Sequence, residues 1–529
     1  MLTIIPVLLL LTSALSMPAV YLVRPKFSYF WLIAALGSLL AWLVVIFSGF
    51  HLSQSFTLVA WKPEGLFPSS PALILDETSW PFSLALTTLI LAVILTDVAR
   101  LQSVDWRAWT SSLALTAFGL LAVLAKNPLT LLMAWSALDL LELVVLLTQI
   151  SESRARGKIV FSFTLRVTGT IMLSGAILLA VSTGINLAYD SIPTQASIFI
   201  LLAAALRLGA LRLHIPYPKG LPLRRGAGTL LRLIPAAACL ALLARLSNSG
   251  VSSTLSSWLL ILAGLAALYG AWNWVSSNDE LSGRPFWVIA TAALAIAAAI
   301  RGQTAACFAW GLTCLLSGGL IFLNSIHTRN LLPFSVLGLI GFSALPYTLS
   351  WNGAGIYSLS PQNQLSTAFL VFLSLLTLIT HGLLLAGYAR HMLRPETMLS
   401  GVERSVWIIY PLGLIVLLII TYVMGIWVRP DAKNVPWQGW VAGPAALAMA
   451  GVFWFLNSIE FTPPRRLARL IQSVSSFTWF SSLIWIIYQS IRRSIDWINL
   501  ILEGDGGILW AVLLLVLILS LLAGQSLGG

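Results

Sequence analysis

Apolar runs of about 20 residues, separated by short stretches rich in Arg, Lys, Pro and Gly, repeat along almost the whole chain. At 1.5 Å per residue a helix of that length crosses the hydrocarbon core of a bilayer. The runs fall near 1–23, 28–50, 80–99, 108–126, 128–150, 159–184, 196–214, 227–246, 255–275, 285–301, 303–325, 332–350, 363–389, 405–427, 439–457 and 507–524. They predict an all-α polytopic membrane protein with about sixteen transmembrane helices. The first run lacks a basic segment before it and is followed by Arg24 and Lys26, so it reads as a membrane helix rather than a cleaved signal. Residues 465–502, RRLARLIQSVSSFTWFSSLIWIIYQSIRRSIDWINLIL, depart from the pattern by mixing aromatic and aliphatic residues with Arg, Ser, Gln and Asp. An amphipathic helix along the membrane surface, within 461–506 and just before the last span, fits this mixture. Two short interfacial helices, or a further span near 474–491, are the alternatives. The longest polar stretch, 51–79, contains SFTLVAW, which suits a short hairpin outside the membrane.

Composition agrees with the pattern. Of 529 residues 58% are hydrophobic and only 9% charged, against about 25% charged in soluble domains. No polar stretch is long enough for a large soluble domain. The net charge of +12 is accounted for by topology: with the N-terminus outside, about 21 of the 30 basic residues fall in inner loops, about six in outer loops and three in the membrane. Nucleic-acid binding is not needed to explain it. Cys239, Cys307 and Cys314 lie in apolar runs without CxxC spacing or a nearby His, which suggests neither a metal site nor a disulfide framework.

The three intramembrane cations are Arg166, Arg207 and Arg232. A charge at the bilayer centre costs about 3 kcal/mol or more, so it faces a bundle interior, a partner charge or water. The acids available to them are Asp139 and Glu142, three residues apart on one face of the fifth helix, NPLTLLMAWSALDLLELVVLL. The seventh, LLAAALRLGALRLHIPYPKG, carries Arg207, with His214 near its inner end. The eighth, AGTLLRLIPAAACLALLARL, carries Arg232 and then Pro235, which frees a backbone carbonyl near residue 231. Asp139, Glu142, Arg166, Arg207, His214 and Arg232 are therefore the candidate proton-path or buried-charge residues.

Several of these segments, in order, resemble the antiporter-like subunits of complex I and the Mrp-type cation/proton antiporters. LILDETSWPF at 73–82 resembles that family's LDGLSLPF, and WSAL on the fifth helix stands for WEL, which places Ser136 at the family's glutamate. RVTG at 166–169 resembles TRxGD, with Arg166 kept and the acid replaced by Thr170 or lost. LRLGALRLHIPYP stands for AxxKSAQxPFHxWLPDA, with Arg207 at the lysine and His214 at the histidine. GAWNWVSSND at 270–279 matches GALxALxQxD, keeping Asp279. CFAWGLTCLLSGG at 307–319 resembles LFKALLFLxAG, with Gly311 at the lysine, and IGFSALPYTLSW at 340–351 resembles IGALALAGIPPLxGF. The family's largest complex I subunit has sixteen helices with a lateral helix before the last.

The resemblance implies membrane subunits as partners, protons or monovalent cations as cargo, the lipid bilayer as solvent, no cofactor and no redox centre in this chain. It implies six segments: N-terminal helices and an outer loop (1–107), two antiporter-like helix repeats (108–246 and 247–404), additional helices (405–460), the lateral helix (461–506) and a last helix (507–529). The implied location is a bacterial-type inner or other energy-conserving membrane. In the family a glutamate tunes a lysine that relays protons across a central polar axis. Arginine does not release its proton in proteins, so Arg207 is a fixed charge, and Gly311 removes the exit lysine. Two readings follow: a translocator with a relocated path, in which Asp139 and Glu142 titrate and His214 shuttles, or a subunit in which those acids pair permanently with the arginines. A stand-alone or Mrp-type antiporter subunit is the alternative assembly. An unrelated transporter or lipid-handling enzyme is the reading without the family, but no HExxH, GxSxG, P-loop or dinucleotide motif is present to run soluble-type chemistry.

Overall fold

The computed structural model describes residues 2–58, 70–99, 105–150, 153–182, 189, 193–211, 224–247, 255–326, 328–359, 365–394, 406–427, 437–458, 489 and 493. Every element named below lies in the first of two compact units, Met1–Ile459. His214 and the last expected span, 507–524, lie outside the described residues. Of the expected lateral helix only Gln489 and Arg493 are described.

The described elements are α1 (Ile5–Val23), α2 (Phe30–Ser48), β1 (Gln54–Thr57), β2 (Ala72–Leu75), α3 (Ser79–Thr96), α4 (Trp106–Val123), α5 (Pro128–Gln149), α6 (Ser153–Ser182), α7 (Thr194–Leu208) and α8 (Arg225–Leu246), followed by α9 (Ser256–Ser276), α10 (Glu280–Ile300), α11 (Thr304–Leu323), α12 (Leu332–Gly341), a 3-10 helix (Leu349–Tyr357), α13 (Thr367–Met392), α14 (Val406–Trp427) and α15 (Trp437–Ser458). The fold is all-α and polytopic, and among the described residues 11 helices are long and apolar enough to cross a membrane.

Burial sorts the helices into a centre and a periphery. The most apolar window of α11 is 100% inside the protein, and those of α8 and α10 are 89% and 83% inside, against 28% for α1 and α6. The central helices approach closely because their side chains are small. Ala290, Ala292, Ala293, Ala295, Ala298 and Ala299 on α10, and Ala236, Ala237, Ala238, Ala241 and Ala244 on α8, are all buried. Lipid supplies no hydrophobic drive between membrane helices, so such close van der Waals contact is what joins them. Large aromatics fill the remaining space with their N–H groups satisfied: Trp287 Nε1 donates to Cys314 O at 3.0 Å and Trp310 Nε1 to Gly353 O at 3.2 Å.

The polar stretch forms the expected hairpin. β1 and β2 pair antiparallel, with Gln54 opposite Leu75 and Thr57 opposite Ala72. The hairpin is tied to the α4–α5 link by Ile74 N to Leu124 O at 2.7 Å and Lys126 N to Ala72 O at 2.9 Å. Asn127 then caps α5, accepting from Thr130 N at 2.8 Å with Pro128 in the first turn.

Among the described α-helices two are too short to span. α7 has 15 residues and stops at Gly209, whose φ of 77° suits a glycine cap. α12 has 10 residues, whereas one continuous span over 332–350 was expected. Pro346 cannot continue a helix without losing a hydrogen bond. The chain instead turns through Ala344 and Tyr347, at φ 55° and 68°, and resumes as the 3-10 helix. His381 of α13 closes the gap: its Nε2 bonds Phe342 O at 2.9 Å and its Nδ1 bonds Tyr357 Oη at 3.1 Å. A carbonyl only accepts, so Nε2 carries the proton.

Candidate functional site

The helical repeat places Trp135, Leu138, Asp139 and Glu142 on the buried side of α5. Asp139 is 3% and Glu142 1% exposed. Ser136 lies on the other side, exposed, with its hydroxyl returned to Leu132 O at 2.9 Å. The acid that faces the seventh helix is thus Asp139, one turn along from the residue at the motif position.

Arg207 meets Asp139 as a fork: Nη1 donates to Oδ2 at 2.6 Å and Nη2 to Oδ1 at 2.7 Å. Such bidentate, charge-assisted pairs are the strong ones. Nη1 also reaches Thr170 Oγ1 at 3.1 Å, the residue at the position of the motif's acid. The guanidinium lies over the Trp135 ring, 4.3 Å from its centroid. Arg207 stands in the last turn of α7, where the carbonyl end of the helix favours a cation. Gly169 makes the approach of α6 possible, because a Cβ there would sit 2.7 Å from Arg207 Cγ and 3.1 Å from Ala203 O. Arg166 of α6 pairs with Glu142. The structure therefore brings four of the six expected residues into two buried ion pairs across α5, α6 and α7.

Arg232 lines a cavity of about 60 Å³ together with Arg166, Arg207, Ser162, Pro235 and Pro285. This places all three intramembrane arginines on one space between α6, α7, α8 and α10. The carboxylates stand on α5, away from its wall.

Gly311 has no such surroundings. A Cβ there would meet Phe82 at 3.1 Å and Leu240 at 3.4 Å, and Phe308 stacks on Phe82 with centroids 5.5 Å apart. The point where the family motif has its lysine is closed by aromatic and aliphatic side chains.

Sequence reasoning passed over a second buried cluster. Glu280, 2% exposed, accepts from Arg225 Nη2 and Arg394 Nη1, each at 2.7 Å, while Arg225 Nη1 donates to Phe322 O and Asn324 O at 2.9 and 3.1 Å. These bonds join α8, α10, the end of α11 and the end of α13. Beside them Asp279 caps α10 in a capping box with Ser282. Burial pushes the Asp279 carboxyl up, but the hydrogen bonds from Ser282 and the nearby Arg394 and His391 outweigh it and hold the group below the usual carboxylate range. At the opposite end of α8, Arg245 binds Asp76 at 2.8 and 3.2 Å and lies over the Tyr189 ring. Acids beside polar loop residues read as ordinary helix starts, so only the basic residues at the ends of α8 and α13 could have pointed to Glu280.

No family model matches the sequence, and no curated protein matches it. Solved structures do resemble it. A chain of the membrane-bound sulfane sulfur reductase, an archaeal respiratory membrane complex, superposes with a TM-score of 0.64 at 15% identity, over 97% of this chain and 99% of that one. A chain of the Mrp complex from Dietzia sp. DQ12-45-1b gives 0.67 at 14% identity, over 99% of this chain and 63% of that one. A chain of respiratory complex I from Thermus thermophilus with bound NADH gives 0.59 at 16% identity, over 85% and 99%. At these identities the likeness is one of fold, and it is the fold that the ordered motifs imply.

Proposed function

We propose that this chain is an antiporter-like membrane subunit of a multisubunit complex of the complex I and Mrp kind, in which its buried charges brace the helices and do not relay protons. The observation that carries this is the Asp139–Arg207 fork. Arginine keeps its proton, both partners are deeply buried, at 1% and 3% side-chain exposure, and Phe82 and Leu240 pack against Gly311, where the family motif has its exit lysine. The near end-to-end match to a chain of an archaeal respiratory membrane complex supports other membrane subunits as partners. A stand-alone or Mrp-type role is the alternative assembly.

The two short, interrupted helices support the division into repeats. α7 is the fourth helix of 108–246 and α12 the fourth of 247–404, and paired breaks of this kind mark corresponding halves of transporter folds. The loop charges support an N-terminus outside, and the resemblance implies an energy-conserving membrane. One feature favours the translocator reading: the arginine-lined cavity beside Arg207 is polar enough to hold water.

The test is proton flux in proteoliposomes containing the intact complex, comparing wild type with Asp139→Leu/Arg207→Leu. Bracing predicts that the apolar pair keeps both assembly and flux. An assembled complex whose flux collapses would overturn it in favour of translocation through this pair.

A further inference from the structure

The 3-10 helix that completes the broken span has no further turn after it, so its last carbonyls need partners from elsewhere. One side chain supplies most of them. Arg301 Nη1 donates to Ile356 O at 2.6 Å and Nη2 to Ser358 O at 2.7 Å, while Ser374 Oγ reaches Tyr357 O at 3.4 Å. Arg301 is the C-cap of α10, in the short turn to α11 where Gly302 takes a φ of 69°. It is 6% exposed.

This cation is held by neutral oxygens. It has no carboxylate partner among the described residues, and residues 281–395 contain neither Asp nor Glu. Burial is the one influence on its pKa, which falls to about 10 and leaves it charged at neutral pH. With the N-terminus outside, Arg301 is one of about six basic residues on the outer side, where the loop-charge bias disfavours them. Another of these, Arg245, is paired with Asp76, whereas Arg301 is bound to carbonyls. A third oxygen lies at the same turn. Gln303 Oε1 stands 3.9 Å from where a Cβ on Gly355 would be, one residue before Ile356, and is buried with no donor among the described residues.

Backbone carbonyls at the end of an interrupted helix are the ligands by which membrane proteins hold a monovalent cation stripped of its water. We propose that the carbonyl end of the 3-10 helix is a monovalent-cation site, of the sodium or potassium class, which this chain fills with its own side chain, the Arg301 guanidinium. The tethered charge cannot diffuse away, and arginine does not discharge itself by losing its proton. The outer end of the interrupted span therefore stays occupied. The assignment concerns binding at this end of the span and stands independently of whether protons move elsewhere in the chain.

The experiment uses the full-length protein in its complex, in detergent, and compares Arg301→Ala with wild type. Thermal unfolding is followed in sodium, potassium or choline chloride at one ionic strength. Removing the guanidinium should lower Tm by several degrees in choline, and sodium or potassium should restore part of that loss in a saturable way. Wild type should melt alike in all three salts, and so should Arg301→Lys, which keeps a tethered charge. If Arg301→Ala does not fold, Arg301→Gln decides by the same comparison, because its amide can still donate to one of the two carbonyls while leaving the other open. A neutral variant that melts at the same temperature in choline as in sodium and potassium would overturn the inference and leave Arg301 as a helix cap only. A cation dependence of equal size in wild type or in Arg301→Lys would also overturn it, by placing the bound cation elsewhere.

Discussion

Replacing Asp139 with Asn keeps the shape of the side chain and removes its charge. The Arg207 guanidinium then remains buried beside a neutral amide, while its Trp135 and Thr170 contacts persist. Breaking one partner out of a buried ion pair costs about 3–5 kcal/mol. Side-chain exposures of 1% and 3% give no reason to discount this for solvent. Membrane hydrogen bonds measure weaker than expected because the unfolded chain in the bilayer finds other partners, which favours the lower end. About 3 kcal/mol is roughly a hundredfold shift in the folding equilibrium. The assay is unfolding by denaturing detergent or heat, for Asp139→Asn, Arg207→Leu and Asp139→Leu/Arg207→Leu. Each single change should be destabilising by about 3 kcal/mol, while the apolar double variant should fall within about 1 kcal/mol of wild type, because two leucines leave no orphaned charge. An Asp139→Asn protein as stable as wild type, or a double variant as unstable as the sum of its parts, would refute the reasoning.

Three further outcomes are expected. Gly169→Ala should cost about 1–3 kcal/mol by crowding the Arg207 Cγ, and that cost should shrink in an Arg207→Ala background, which has no Cγ, as read by the same unfolding assay. Gly311→Lys should lower stability by about 3 kcal/mol, because its ammonium would be buried against Phe82 and Leu240; normal assembly yield and Tm in size-exclusion and melting measurements would contradict this. Asp279→Ala should cost about 1 kcal/mol as a lost N-cap. The Asp279 carboxyl is held below its ordinary range, so its contribution is complete above the ordinary carboxylate pKa and disappears as pH falls through the lower folded value; melting curves of wild type and Asp279→Ala should differ by a constant amount above about pH 5 and converge in stronger acid.

Helix positions were legible because a bilayer imposes one length on every span. The exception is instructive: the run over 332–350 looks continuous in hydropathy, yet it is divided at Pro346 into α12 and the 3-10 helix, with the hydrogen bond from His381 Nε2 to Phe342 O at the break. Hydropathy measures what a segment can tolerate around it, not whether its backbone continues. Asp139 and Glu142 stood out because charge is rare in apolar runs. Their division of partners, Asp139 with Arg207 and Glu142 with Arg166, depends on how α5, α6 and α7 meet and has no local signal. The motif match drew attention to Ser136, but the helical turn places Asp139 inward and Ser136 outward. Glu280 was missed because an acid at a helix start is ordinary capping chemistry, and only the folded chain brings Arg225 and Arg394 to it.

The alanine-rich meeting of α8 and α10 has a consequence for motion. Alanine has no rotamers to lose on folding, so this part of the centre orders at almost no side-chain entropy cost. For the same reason it has no alternative side-chain arrangements to switch between. Any rearrangement at the middle of the molecule must slide whole helices past one another, or turn the arginines and aromatics at its edges, because the alanines themselves offer nothing that can swing open.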